Sequence, residues 1–167
     1  MRTVLLYVLS LVLVMAFQLL LLENVQLLGY LNPYYYPILI LLWPLKWNRG
    51  LSIVVAFGLG FIMDFIENSG GLHTSALVLL AYVRPLLLRS LVARAVEEGL
   101  SVDLPTLGPS KFMTFTAMGL FTFHFWLFSL EAFAWSELFW VLIRSLASTA
   151  VSAVMVYATQ LLMLSNE

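Results

Sequence analysis

The chain has no cysteine among its 167 residues, which excludes a secreted disulfide scaffold and a cysteine nucleophile. Charge is almost as scarce. Only 10% of residues are Asp, Glu, Lys or Arg, against about a quarter in a soluble domain. So few charged side chains cannot cover a water-facing surface, and this excludes a soluble enzyme and a disordered regulator. The net charge of −1 offers no basic stripe for phosphates, so no nucleic-acid partner is expected. What the chain has instead is apolar residues, 62% of the total, with a mean hydropathy of +0.99. That composition defines an all-α, polytopic membrane protein.

A bilayer core of about 30 Å takes about 20 helical residues. The spacing predicts six spans, at 3–22, 33–47, 50–66, 72–91, 111–130 and 137–164, in one membrane domain covering 1–167. The first run, preceded by Arg2 and closed by Glu23 and Asn24, is too long for a signal-peptide core and lacks a small-residue cleavage site. It reads as a retained span. The second starts at Asn32-Pro33, where Asn32 is expected to cap a helix with Pro33 at its first position. At about 15 residues, or roughly 22 Å, it is short, and it contains Pro37 and Pro44. It either crosses a thin region or is shielded by its neighbours. Spans three and four are joined by the turn Glu67-Asn68-Ser69-Gly70-Gly71. The polar stretch 94–110, with its two prolines, is expected to be extended and to order on binding an inner partner.

Charge placement tests the count. With both termini cytoplasmic, the inner segments carry Arg2, Lys46, Arg49, Arg89, Arg94 and Lys111. The outer loops carry Glu23, Glu67, Glu131 and Glu137 with no Lys or Arg, as the positive-inside rule requires. If 33–47 did not cross, Lys46 and Arg49 would lie opposite Arg89 and Arg94. Tyr34, Tyr35, Tyr36, Trp43, Trp47, Trp126, Trp135 and Trp140 fall near the span ends, where amphipathic rings settle at headgroups.

A charged residue inside a span costs several kcal/mol unless paired or hydrated. Asp64 shares a face of span three with Gly60, and Glu67 continues that face. Asp64 reads either as a site for a partner, ion or substrate or as a structural carboxylate. Gly58 and Gly60 permit close approach of another backbone. In span six Arg144 precedes Ser148 and Ser152, which form a small polar face suited to helix packing. An Asp64–Arg144 ion pair would explain how both charges are tolerated. His73 and Arg84 project from one side of span four, with Arg84 snorkelling to the inner headgroups and Pro85 kinking the helix. His73 and His124 lack the spacing of a metal site, and Gly58-Leu59-Gly60 inside an apolar helix is no nucleotide signature. No cofactor, metal or catalytic constellation is expected.

The segment 58–76, GLGFIMDFIENSGGLHTSA, resembles the signature of the rod shape-determining protein MreD family. Gly60, Asp64 and Gly71 fall on its glycine-rich helix, its aspartate and the glycine opening the next helix, and 33–49 resembles its proline-started short helix ending in a basic turn. Length and span number fit that family over the whole chain. The resemblance implies a non-enzymatic, multi-pass subunit of the bacterial inner membrane within the cell-elongation complex. It implies binding to MreC and, through it, action with MreB, RodA and a class B penicillin-binding protein in peptidoglycan synthesis. Homo-oligomers are left open. The family is also similar in fold to the substrate-binding subunits of energy-coupling-factor transporters. As such a subunit the chain would gather Asp64, His73, His124 and Arg144 around a small ligand in the outer half. Against it, 3–22 has only Ser10 and Ala16 where those subunits carry small residues for their coupling partner.

Overall fold

The computed structural model describes residues 2–22 and 32–165. Helix α1 (Arg2–Phe17) runs on into a π-helical turn at Gln18–Leu22. The chain then descends through a short α2 (Ile38–Leu41) into α3 (Arg49–Glu67) and returns through α4 (Leu72–Leu91). Two short helices, α5 (Ala93–Glu97) and α6 (Leu104–Leu107), lead to the pair α7 (Pro109–Ala132) and α8 (Leu138–Leu164). Among the described residues there is no strand. Helices α3, α4, α7 and α8 are long and apolar enough to cross a membrane, and Tyr7–Leu20 forms a shorter apolar helix. Hydrophobic faces point both ways, as expected of a protein solvated by lipid. Leu77, Leu80, Phe112 and Phe115 are fully buried, while Phe57, Tyr82, Phe139 and Leu162 lie outside.

The expected helix opening at Asn32-Pro33 does not form. Proline disfavours the helical conformation in the residue before it. Pro37 and Pro44 therefore hold Tyr36 and Trp43 out of a helix and leave room for one turn between them, Ile38–Leu41. The segment still traverses the bundle. Tyr36 lies against His73 near the start of α4, whereas Leu41 and Trp43 lie against Arg84, eleven residues along that helix or about 16 Å. Nor do its aromatics sit at headgroups: Tyr34, Tyr35, Tyr36 and Trp43 are all buried in the core. Trp126 and Trp140 are exposed, while Glu23, Asn24 and the Trp135 side chain lie outside what is described.

A buried segment without regular structure needs partners for its backbone. Gln18 accepts from the Tyr35 N–H at 2.7 Å, and the Tyr7 hydroxyl donates to the Leu39 carbonyl at 2.6 Å. Arg84 adds two more bonds, its Nε donating to the Leu41 carbonyl at 2.8 Å and an Nη to the Trp43 carbonyl. Arg84 is 5% exposed, so it does not snorkel; the unpaired carbonyls of the crossing segment hold it inside the bundle.

The 94–110 stretch is folded rather than extended. Val102 and Leu104 are buried, and Asp103 caps α6 by accepting from the Thr106 N–H at 2.9 Å. Partial burial pushes the Asp103 carboxyl up, but hydrogen bonds from Ser101 and Thr106 outweigh it and hold the group below the usual carboxylate range.

Arg84→Met keeps the apolar stem and removes both donors. It is expected to lower the unfolding free energy by about 2 kcal/mol, because two buried carbonyls lose their partners. Thermal unfolding in detergent measures the loss, and an unchanged Tm would refute the role given to Arg84.

Candidate functional site

Of the polar side chains that the sequence singles out, Asp64 and His73 lie at the α3–α4 turn, while Arg144, Ser148 and Ser152 lie on α8. Asp64, 7% exposed, caps α4 from the neighbouring helix. Its Oδ1 accepts from the Ser69 hydroxyl at 2.5 Å and the His73 N–H at 2.9 Å. Its Oδ2 accepts from the Thr74 N–H at 2.8 Å and from the Thr74 hydroxyl. The first turn of a helix carries unpaired N–H groups and a positive dipole end, so a carboxylate there is doubly stabilised. Each of these partners lies within the chain, the arrangement a structural carboxylate would have.

The turn that permits this is local chemistry. Asn68 ends α3 in the left-handed conformation, and Gly71 opens α4 at φ 101°, which glycine alone adopts without strain. Gly60 has the close approach expected of it, since a Cβ there would fall 2.8 Å from the Thr74 nitrogen and 2.9 Å from the His73 carbonyl oxygen. Gly58 does not, because a Cβ there meets nothing within 4 Å. A third glycine escapes sequence reasoning: Gly119 in α7 makes room for the Leu41 side chain, and only the unexplained glycine in an apolar run hinted at it.

The Asp64–Arg144 pair expected from sequence is not made. Arg144 pairs with Glu131 at 2.8 Å and lies over the Phe128 ring, 4.0 Å from its centroid. Glu131 ends α7 one helix away, whereas Asp64 already accepts hydrogen bonds from Ser69, His73 and Thr74.

His73 joins a different network. It is 2% exposed, with Nδ1 2.8 Å from the Tyr36 hydroxyl and Nε2 2.8 Å from Glu67 Oε2. The Tyr34 hydroxyl donates to the same carboxylate oxygen at 3.2 Å. Tyr34 also stacks on His124, with ring centroids 6.0 Å apart, and so links the two histidines. Sequence reasoning missed this network because it placed the tyrosines at the membrane surface; the carboxylate Glu67 was the available signal. His124 donates from Nδ1 to the Leu120 carbonyl at 2.8 Å and lies 3.2 Å from the Thr149 hydroxyl. Ser148 and Ser152 are fully buried on the inward face of α8, so they pack inside this chain and offer no surface to a partner. Among the described residues no group of acidic and histidine side chains is placed to hold a metal.

Two cavities flank the cluster. One of about 380 Å³ is lined by Gln18, Asn32, Tyr34 and Glu67 among others. The other, of about 750 Å³, is an open cleft lined by residues of α3, α4 and their turn, among them Phe57, Phe61, Asp64, Phe65, Asn68 and Thr74.

The fold and these sites define an all-α membrane protein whose buried polar groups serve mainly to hold helices and a non-helical segment together. Compared with known proteins, the chain significantly matches no family model, no curated protein and no solved structure.

Gly60→Ala is expected to cost about 1–3 kcal/mol through the clash with α4, whereas Gly58→Ala should stabilise α3 by up to about 1 kcal/mol. Unfolding of the two variants side by side checks the assignment, which equal effects would overturn. In double-mutant cycles Glu131→Gln and Arg144→Gln are expected to couple by about 0.5–1 kcal/mol, as for a partly exposed pair. Asp64→Asn and Arg144→Gln should be additive within about 0.5 kcal/mol.

Proposed function

We propose that this chain is a non-enzymatic scaffold subunit of the bacterial cell-elongation complex, of the MreD type. In this reading it crosses the inner membrane six times with both termini inside and binds the single transmembrane helix of MreC. Through MreC it acts with MreB, RodA and a class B penicillin-binding protein. The observation that carries the reading is the Asp64-centred hairpin, because the residues that resemble the family signature, Gly60, Asp64 and Gly71, all serve one junction of α3 with α4. Six crossings are supported by the passage of 33–47 from the His73 level to the Arg84 level, together with the segregation of charge. Lys46, Arg49, Arg89, Arg94 and Lys111 fall at the ends of elements opposite those that carry Glu67, Glu131 and Glu137. For the partner helix, a Cβ at Gly58 would meet nothing within 4 Å and Val54, Phe61 and Phe65 of α3 are exposed, unlike the Ser148 and Ser152 face.

The competing reading is a ligand-binding subunit of an energy-coupling-factor-type transporter. The cavity of about 380 Å³ beside Glu67 and Tyr34 favours it. Asp64, His73, His124 and Arg144, however, are each engaged within the protein.

The two readings separate in a pull-down of the tagged protein from its native bacterium in mild detergent, with mass spectrometry of the co-purifying chains. The scaffold reading expects a single-span, coiled-coil periplasmic protein with cell-wall synthases. It further expects Gly58→Leu to abolish that recovery at unchanged expression. Recovery of transporter ATPase subunits instead would sink it.

A further inference from the structure

Glu67 ends α3 beside a cavity, and what it lacks is a counter-charge. Its Oε2 lies 2.8 Å from His73 Nε2 and accepts from the Tyr34 hydroxyl at 3.2 Å, while its enclosed Oε1 has no partner among the described residues. The Tyr36 hydroxyl has one acceptor for its proton there, Nδ1 of His73 at 2.8 Å. With that bond made, the imidazole is the neutral tautomer protonated at Nε2, which gives Glu67 a hydrogen bond but no positive charge. This end of the bundle has none to spare. Among the described residues it carries Asp64, Glu67, Glu131 and Glu137 against Arg144 alone, and Arg144 pairs with Glu131. Asp64 has hydrogen-bond donors of its own. Glu67, its side chain 19% exposed, is the partly buried carboxylate left without a cation.

The cavity offers the rest of a site. Its volume of about 380 Å³ falls in the range of small-ligand pockets, and Gln18, Asn32 and Tyr34 join Glu67 in its wall. Gln18 and Leu22 reach it from the π-helical turn after α1, a departure from regular helix that is frequent at functional sites. The Tyr34 proton is committed to Glu67, so the phenolic oxygen offers lone pairs only. The wall thus presents a carboxylate, a phenolic acceptor and two carboxamides, with neither Lys nor Arg. A bare divalent metal does not suit it, because one carboxylate in so wide a space cannot close a shell of about six oxygens. A quaternary ammonium would want an aromatic cage, and Tyr34 is the one ring there. A primary ammonium, which has several N–H donors, matches the set. Its attraction to Glu67 acts over several Å and leaves the bonds to His73 and Tyr34 in place. Glu67 also closes a helix of membrane-spanning length, which sets the cavity at the level of lipid headgroups.

We infer that this cavity binds a primary ammonium group, that of a small free amine or of a phosphatidylethanolamine headgroup, with Glu67 as its counter-ion. The inference does not depend on the scaffold reading.

The full chain in detergent is titrated with ethanolamine and with choline, its trimethylated analogue, and its Tm is followed. In parallel, native mass spectrometry counts phosphatidylethanolamine and phosphatidylcholine carried out of nanodiscs that contain both. Ethanolamine should raise Tm where choline does not, or phosphatidylethanolamine should be retained over phosphatidylcholine. The first result alone assigns a free amine, the second alone a headgroup, and both together the shared group. Glu67→Gln keeps an acceptor for His73 and Tyr34 but removes the charge, and should weaken the preference about tenfold. Asn32→Ala, outside the Glu67–His73 network, should weaken it about threefold. Equal behaviour of primary and quaternary ammonium in both assays would overturn the inference, and so would a preference that survives Glu67→Gln. If Glu67→Gln does not fold, Asn32→Ala decides, and an unchanged preference there overturns the inference equally.

Discussion

A polypeptide that passes through a lipid-solvated bundle largely without being helical has to find partners for its backbone groups, and where local turns leave carbonyls over, this structure meets the need with one arginine. The cation of Arg84 lies among carbonyls rather than beside a carboxylate, donating to Leu41 and Trp43. Gln18 and Tyr7 serve the same segment from α1. These contacts draw α1, α4 and the crossing segment into one body. They also explain why so polar a residue sits where a membrane helix would ordinarily carry leucine.

The same logic recurs at the other end of α4. Asp64 supplies from α3 the acceptors that the first turn of α4 lacks, while Gly60 brings the two backbones close enough for it to reach. Charge in this protein therefore works at places where backbone hydrogen bonding runs out, a helix end in one case and an unwound segment in the other. Other charges pair side chain to side chain: Glu67 with His73, Arg94 with Glu98, and Glu131 with Arg144, which bridges α7 to α8 directly.

Between these two anchors the interior is aromatic and polar at once. Tyr34 connects the Glu67–His73–Tyr36 network to His124, and His124 lies against Thr149 of α8. Such an interior holds the helices together through internal bonds, while apolar side chains such as Phe57, Tyr82, Phe139 and Leu162 face outward.

Much of this was legible in the residues. Apolar runs located α3, α4, α7 and α8, and Asn68 to Gly71 announced the turn, because membrane-spanning length and glycine-dependent turns are local properties. Pro37 and Pro44 bound the single helical turn of the 33–47 segment, since proline disfavours a helical residue before it. Pairing is not local. Sequence spacing made Asp64 and Arg144 look like partners, yet α4's own N–H groups lie closer to Asp64, and Glu131 lies closer to Arg144. Likewise only the packed bundle could turn Arg84 and the tyrosines inward, since a side chain's choice between headgroup and core depends on which unpaired groups other segments bring within about 3 Å of it.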